Sequence, residues 1–143
     1  MVAIDDEDRV IMVRQYRVAT GRMLLEIPAG GLDLGPDGSK EDPERAARRE
    51  LEEETGLVAD HWRKLGEAFS APGFTEELMH LYLATGLRPA SADGHVSPDE
   101  DERLLVERVP WPDALAMADR GEIHDAKSLV GLFWVDRIRE REG

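Results

Sequence analysis

Residues 35–57, with the sequence GPDGSKEDPERAARRELEEETGL, contain a helix pattern together with its boundary signals. Asp42 can cap the first turn, and Pro43 suits the first helical position, where no backbone N–H is needed. Gly56 suits the left-handed position that follows a last helical turn. The stretch therefore predicts a helix over Pro43–Thr55.

The last turns of this helix carry carboxylates on one face. Glu50 and Glu54 lie one above the other, with Glu53 beside them. Carboxylates at a helix C-terminus face the negative end of the helix dipole, which costs about 0.3–1 kcal/mol each. A sequence that breaks local rules in one place often marks a functional site. Carboxylates without Cys or His favour a hard cation such as Mg²⁺ or Mn²⁺. The alternative is a solvated acidic face, partly compensated by Arg48 and Arg49.

Short strands are predicted on both sides of this helix. Apolar or alternating runs place them at Val2–Ile4, Val10–Tyr16, Leu24–Ile27, Arg63–Phe69, Leu78–Thr85 and Leu104–Val109. Polar loops rich in Gly, Pro and Asp are predicted at residues 30–40 and 91–101. Two helices close the chain, one over Pro112–Arg120 and one beginning near Asp125. This order predicts a compact α/β sandwich with a mixed sheet.

Composition limits the classes of function. The chain has 143 residues, enough for one well-packed domain over residues 1–143. The net charge of −13 argues against a general nucleic-acid binder, which needs a basic face. No apolar run approaches the roughly 18 residues that a membrane span needs. There are no cysteines, which excludes disulfides and thiol nucleophiles and predicts a cytoplasmic protein. An acidic chain can still bind a small phosphorylated substrate if a divalent cation stands between them.

The acidic helix carries a family resemblance. The Nudix signature is G-x5-E-x7-R-E-U-x-E-E-x-G-U, in which U is aliphatic. Its fixed positions are filled here by Gly35, Glu41, Arg49, Glu50, Leu51, Glu53, Glu54, Gly56 and Leu57. The chain therefore resembles Nudix hydrolases, which implies a Nudix-type α/β/α sandwich with a central mixed β-sheet. Pro28-Ala29-Gly30 also resembles the family segment before the signature, so the structural glycine is either Gly30 or Gly35.

Segments outside the signature resemble the ADP-ribose pyrophosphatase branch. They are Val13–Arg17, Glu26–Gly30, Ala71–Glu77 and Gly121–Ala126. The resemblance implies Mg²⁺-dependent hydrolysis of a nucleoside diphosphate sugar, above all of ADP-ribose to AMP and ribose 5-phosphate. It also implies a homodimer. The N-terminal strands that those enzymes use for dimer exchange and adenine contact are not found in this sequence.

The resemblance also implies roles for single residues. Glu50, Glu53, Glu54 and the carbonyl of Ala29 would hold Mg²⁺, which Mn²⁺ can replace, and Arg49 would orient a neighbouring glutamate. An acidic loop would supply the catalytic base or a further metal ligand, for which the candidates are Glu100 and Glu102. The residues that would contact substrate are Arg14, Arg17, Glu26, Phe74 and Glu77.

Other readings stay open at this point. The substrate could be another nucleotide sugar or a dinucleotide. The chain could instead be a Nudix-fold binding module without catalysis, or an acidic interaction protein without a site. The four histidines, His61, His80, His95 and His124, show no metal-ligand spacing and are assigned no chemistry.

Overall fold

The computed structural model describes residues 1–91 and 104–143. Within these ranges the chain forms one six-stranded sheet and three α-helices. The elements in chain order are β1 Val2–Ile4, β2 Arg9–Arg17, β3 Arg22–Glu26, α1 Pro43–Thr55, β4 Leu57–Phe69, β5 Leu78–Pro89, β6 Leu105–Pro110, α2 Trp111–Asp119 and α3 Ala126–Glu142.

The sheet is mixed, and β2 lies at its centre. One edge of β2 pairs with β6, and the other edge pairs first with β1 and then with β3, all antiparallel. β1 continues the sheet by pairing parallel with β5, which in turn pairs antiparallel with the edge strand β4. Because β1 and β3 share one edge of β2, the chain that leaves β3 starts beside the middle of the sheet. This is where the site described below lies.

Helices cover both faces of the sheet. Alternation along β2 sends Val10 and Met12 into one apolar cluster and Ile11 into the other. The first cluster is closed by α2 and α3 through Ala114, Leu132 and other residues, and the second is closed by α1 through Leu51. The predicted α/β/α sandwich with a central mixed sheet is thus confirmed.

The boundaries of α1 are those predicted from the sequence. The Asp42 carboxylate accepts a hydrogen bond from the Arg45 backbone N–H at 3.0 Å. Gly56 ends the helix at φ 69° and ψ 16°, the left-handed conformation expected there. No helix in the described ranges combines the length and the apolar character needed to cross a bilayer.

The predicted start of β4 was wrong by six residues. The strand begins at Leu57, whereas the sequence predicted Arg63, because Asp60 and His61 are both exposed and interrupt the alternation. β5 similarly extends to Pro89, beyond the predicted end at Thr85. Most of the predicted loop at residues 91–101 lies outside the described residues.

Candidate active site

A cleft of about 1790 Å³ opens between α1, the end of β3, the start of β5 and the start of α3. This volume exceeds the roughly 300–1,000 Å³ of an ordinary small-molecule site, so an extended ligand fits. The acidic face of α1 forms one wall of the cleft through Glu50, Glu53 and Glu54. Opposite it lie Arg17, Glu26 and other polar residues of β2, β3 and α3.

Arg49 donates hydrogen bonds to several groups of the acidic wall. Its Nη1 donates to Glu50 at 2.8 Å and to Glu53 at 2.9 Å, and its Nη2 donates to Glu41 at 3.0 Å and to the carbonyl of Gly31 at 3.1 Å. The Glu41 carboxylate, followed by those of Glu50 and Glu53, raises the pKa of Arg49 above its ordinary value, although partial burial opposes this. The same pairing lowers the pKa of Glu41. Arg49 is therefore a fixed cation that orients carboxylates of the wall.

The segment after β3 is fastened to the same wall. The Ala29 backbone N–H donates to the buried carboxylate of Glu54 at 3.0 Å. Gly30 lies so close to α1 that a Cβ there would stand 1.9 Å from the Glu50 carboxyl carbon. A Cβ on Gly35 would meet Asp37 and Ser39 of its own loop at 3.0 Å, and not the helix. Gly30 is thus the glycine that permits the close approach between this segment and α1.

The donors in the cleft suit a hard divalent cation. Glutamate oxygens of α1 lie against the main chain of residues 29–31, and the Glu50 carboxylate occupies the space that a side chain at position 30 would fill. Carboxylate and carbonyl oxygens are the ligands that Mg²⁺ and Mn²⁺ prefer. Within residues 1–91 and 104–143, however, no three acidic or histidine side chains converge into a ready coordination set. Arg49 binds one carboxylate oxygen of Glu50 and one of Glu53, and the predicted ligand set stays a prediction.

The wall formed by β2, β3 and α3 combines cations with carboxylates. The Glu26 side chain is only 2% exposed and accepts from Arg17 twice, at 2.8 Å from Nε and from Nη2. Lys127 from α3 also binds the Glu26 carboxylate, and its ammonium reaches Asp125 at 2.9 Å. Burial alone would raise the pKa of Glu26, but the hydrogen bonds from Arg17 and Lys127 outweigh it and hold that pKa below its ordinary value. Glu26 is therefore an ionised carboxylate between two cations.

Hydrogen bonds at the start of α3 fix this arrangement in place. The Asp125 carboxylate accepts from the Ser128 backbone N–H at 3.0 Å and from its hydroxyl at 2.5 Å. The Ser128 Oγ in turn accepts from the Ile27 backbone N–H at 2.8 Å. The end of β3 and the N-terminus of α3 are thus bound to each other beside the cleft.

The structure brings most, but not all, of the predicted site residues together. Those that line the cleft are Arg17, Glu26, Ala29, Arg49, Glu50, Glu53, Glu54 and Glu77. Arg14 does not line it and pairs instead with Glu107 at 2.5 Å. Phe74 is 89% exposed and does not line the cleft, but it lies in an adjoining depression that shares Phe69, Thr75 and Glu76 with it. Glu100 and Glu102 lie outside the described residues.

Sequence reasoning gave no role to several polar residues of the cleft, among them Asp125, Lys127 and His80. Asp125 was placed at a helix start without a role, Lys127 was not singled out, and His80 was assigned no chemistry, yet all three line the cleft. The segment that ends at Ala126 resembles the family branch, and Lys127 is the next residue. This position could have indicated that Lys127 lies near the site. The alternation of side chains along β5 gave no such signal for His80. Alternation shows on which face of the sheet a residue lies, but not that a cleft lies beside it.

Comparison with known proteins agrees with this geometry. The NUDIX domain model matches residues 1–135. The ADP-ribose pyrophosphatase of Bacillus subtilis (strain 168) is 40% identical over 135 residues, which cover 94% of this chain and 69% of that protein. The GDP-mannose pyrophosphatase of Citrobacter koseri (strain ATCC BAA-895 / CDC 4225-83 / SGSC4696) is 37% identical over 138 residues, covering 91% and 68%.

A solved structure described as an ADP compounds hydrolase has the same fold. It superposes with a TM-score of 0.83 at 27% identity, covering 99% of this chain and 72% of that one. Family match, relatives and fold agree with the acidic helix and its cleft. The chain belongs to the Nudix family of hydrolases, whose members act on small nucleotide substrates and generally use divalent metal ions.

Proposed function

We propose that the protein hydrolyses the pyrophosphate bond of a nucleoside diphosphate sugar in the presence of Mg²⁺. The favoured reaction is ADP-ribose and water to AMP and ribose 5-phosphate. Two relatives with matching chemistry support it, one described as an ADP-ribose pyrophosphatase and one as an ADP compounds hydrolase.

One observation carries the proposal: one wall of the cleft has an excess of carboxylates, and the other also presents cations. The acidic wall on α1 offers carboxylate oxygens to a cation, and the opposite wall offers the guanidinium of Arg17 and the ammonium of Lys127 beside it. A metal-bound diphosphate needs both, since its cation seeks carboxylates and its oxygens seek N–H donors. Both cations are partly committed to Glu26, which keeps them in place before substrate binds.

The residues of the acidic wall would have separate roles in catalysis. Glu50, Glu53, Glu54 and the Ala29 carbonyl would hold Mg²⁺ or Mn²⁺, which neutralises phosphate charge and lowers the pKa of bound water. Arg49 would orient Glu50 and Glu53 through the bonds it already makes to them. Glu53 would accept a proton from the attacking water. Arg17, with Glu26 behind it, would donate to a phosphate oxygen, and Glu77 would contact the ribose or its water network.

Some assignments rest on the family resemblance alone. Glu100 or Glu102 as the base or a further ligand, Arg14 as a phosphate contact and Phe74 as a pocket residue are proposals of this kind. So is the homodimer, whereas the single domain over residues 1–143 is a proposal based on the chain length. A cytoplasmic location rests on the absence of cysteine.

The main alternative is a different nucleoside diphosphate sugar, supported by the GDP-mannose pyrophosphatase among the relatives. A substrate panel separates the two. Purified protein is incubated with ADP-ribose, GDP-mannose and a dinucleotide, with Mg²⁺ and with EDTA, and products are resolved by chromatography. We expect Mg²⁺-dependent release of AMP with the highest kcat/KM for ADP-ribose. Turnover of GDP-mannose alone would select the alternative, and no turnover of any compound would refute the proposed function.

A further inference from the structure

His80 lies near the start of β5, where it contacts a charged pair on the neighbouring strand β4. Its Nδ1 is 3.1 Å from the Glu67 carboxylate, and Glu67 also receives the ammonium of Lys64 at 2.6 Å. The His80 side chain is 22% exposed and lines the same cleft as the acidic wall. Lys64, Glu67 and His80 thus form a chain of contacts that ends at the cleft.

A β-bulge in β4 makes this chain possible. Lys64 pairs with Tyr82 and Gly66 with Leu81, so Leu65 is an extra residue without a partner. Residues three apart in a regular strand point to opposite faces, but the extra residue places Lys64 and Glu67 on the same face as His80. Gly66 is required at this point, because a Cβ there would lie 2.8 Å from the Trp134 ring. Bulges commonly redirect a side chain beside an active site.

The chain of contacts determines which hydrogen bond His80 offers to the cleft. The hydrogen bond from Lys64 is the largest cause of a lowered pKa for Glu67, so Glu67 is an ionised acceptor. The His80 Nδ1 must therefore donate to it. In the neutral imidazole the other nitrogen, Nε2, then carries a lone pair and can only accept.

We propose that His80 is a substrate-binding residue whose Nε2 accepts a hydrogen bond from a sugar hydroxyl of the nucleoside diphosphate sugar. Diphosphate oxygens are acceptors and would repel this lone pair, whereas sugar hydroxyls are donors. His80 lies on β5 and is not among the residues proposed to hold the metal or to act as the base, so we expect its contact to act on binding and not on the chemical step. The inference rests on the proposed function.

Two substitutions at His80 separate the two ring nitrogens. The amide of Asn reaches the place of Nδ1 and can still donate to Glu67, but it leaves nothing at the place of Nε2. The amide of Gln reaches the place of Nε2 and can present an oxygen there. His80→Asn should raise KM about tenfold, the loss of one hydrogen bond, with kcat changed less than about twofold. His80→Gln should restore most of the affinity. His61→Asn, in the same hairpin but outside the cleft, is the matched control and should change neither.

Steady-state kinetics on ADP-ribose, or on whichever panel compound the wild-type protein hydrolyses, provides the measurement. Equal KM values for His80→Asn and wild type, equal losses in the Asn and Gln variants, or a fall in kcat alone would overturn the proposal. A base amino group is the other possible donor. A larger Asn penalty with ADP-ribose than with its inosine analogue would therefore overturn the hydroxyl assignment.

Thermal unfolding of each variant shows whether a change in KM is caused by a loss of structure. Should His80→Asn be unfolded at the assay temperature, Glu67→Ala tests the same contact, because without the carboxylate the imidazole loses its fixed tautomer. KM should again rise while kcat stays, and an unchanged KM would overturn the proposal. Failure of the wild-type protein to hydrolyse any panel compound refutes the proposed function, whereas these variant outcomes concern His80 alone.

Discussion

The two walls of the cleft differ in how their cations and carboxylates are paired. On α1, one cation, Arg49, is shared among the carboxylates of Glu41, Glu50 and Glu53. On the β3–α3 side, one carboxylate, Glu26, is shared between Arg17 and Lys127. The first arrangement leaves an excess of negative charge, whereas the second balances two cations, Arg17 and Lys127, with two carboxylates, Glu26 and Asp125. This difference supports the proposal that the first wall holds the metal and the second binds the phosphates.

Burial separates the two walls as well. The Glu26 side chain is 2% exposed, whereas the Arg49 side chain is 25% exposed. A buried carboxylate depends on its partners for the stability of the fold, because an unpaired buried charge is costly. The side chains of Glu50 and Glu53 are 15% and 23% exposed, so their carboxylates can change partners at smaller cost. We therefore expect substitutions on α1 to affect activity and substitutions around Glu26 to affect folding.

The largest expected effect is on turnover and concerns α1. Glu53→Gln or Glu54→Gln should lower kcat at least about a hundredfold, as is usual when charge stabilisation or a base is lost. Folding should survive, since relief of repulsion along the helix offsets the change. Glu52→Gln, on the same helix but outside the cleft, should keep wild-type kcat. Near-normal kcat in both site variants would contradict the expectation that substitutions on α1 affect activity.

A smaller but clear effect on stability is expected on the other wall. Lys127→Met should lower the free energy of unfolding by about 1.5–3 kcal/mol, the value of a hydrogen bond to a charged group. The matched control is Arg137→Met, which breaks an exposed pair with Glu140 and should cost less than about 1 kcal/mol. Urea denaturation monitored by circular dichroism measures both. Equal costs would mean that burial of Glu26 does not matter.

Metal binding should distinguish the walls by a thermal shift. Mg²⁺ at ten times its Kd should stabilise the folded chain by about 1.4 kcal/mol through mass action. Scanning calorimetry should show the rise in Tm for the wild type and for Lys127→Met, but not for Glu53→Gln. A shift that persists in Glu53→Gln would place the metal elsewhere.

The smallest expected effect is on the pH dependence of stability. The folded pKa of Glu26 is lowered, so its contribution is complete above the unfolded pKa of about 4.3 and is lost as pH falls through the folded pKa. Glu26→Gln should therefore lose less Tm than the wild type on acidification below about pH 5. Parallel Tm curves for the two proteins would show that Glu26 titrates normally.

Much of the fold was accessible from local sequence rules. The helix over Pro43–Thr55 was predicted to the residue because its cap, its first proline and its terminal glycine are all local signals. The start of β4 was not, because Asp60 and His61 follow one another on an edge strand where both remain exposed. His80 was missed for a related reason, since its value depends on a bulge in a different strand.

The acidic face of α1 follows from the sequence, since helical spacing alone aligns Glu50, Glu53 and Glu54. The α/β sandwich also follows from it, through the order and period of the apolar runs. By contrast, the packing of distant elements decided that Gly30, and not Gly35, lies against α1. It also decided that Glu26 meets Lys127, 101 residues further along the chain. The physical reason is range: periodicity and capping act over a few residues, whereas a pairing across the sheet depends on how distant elements pack.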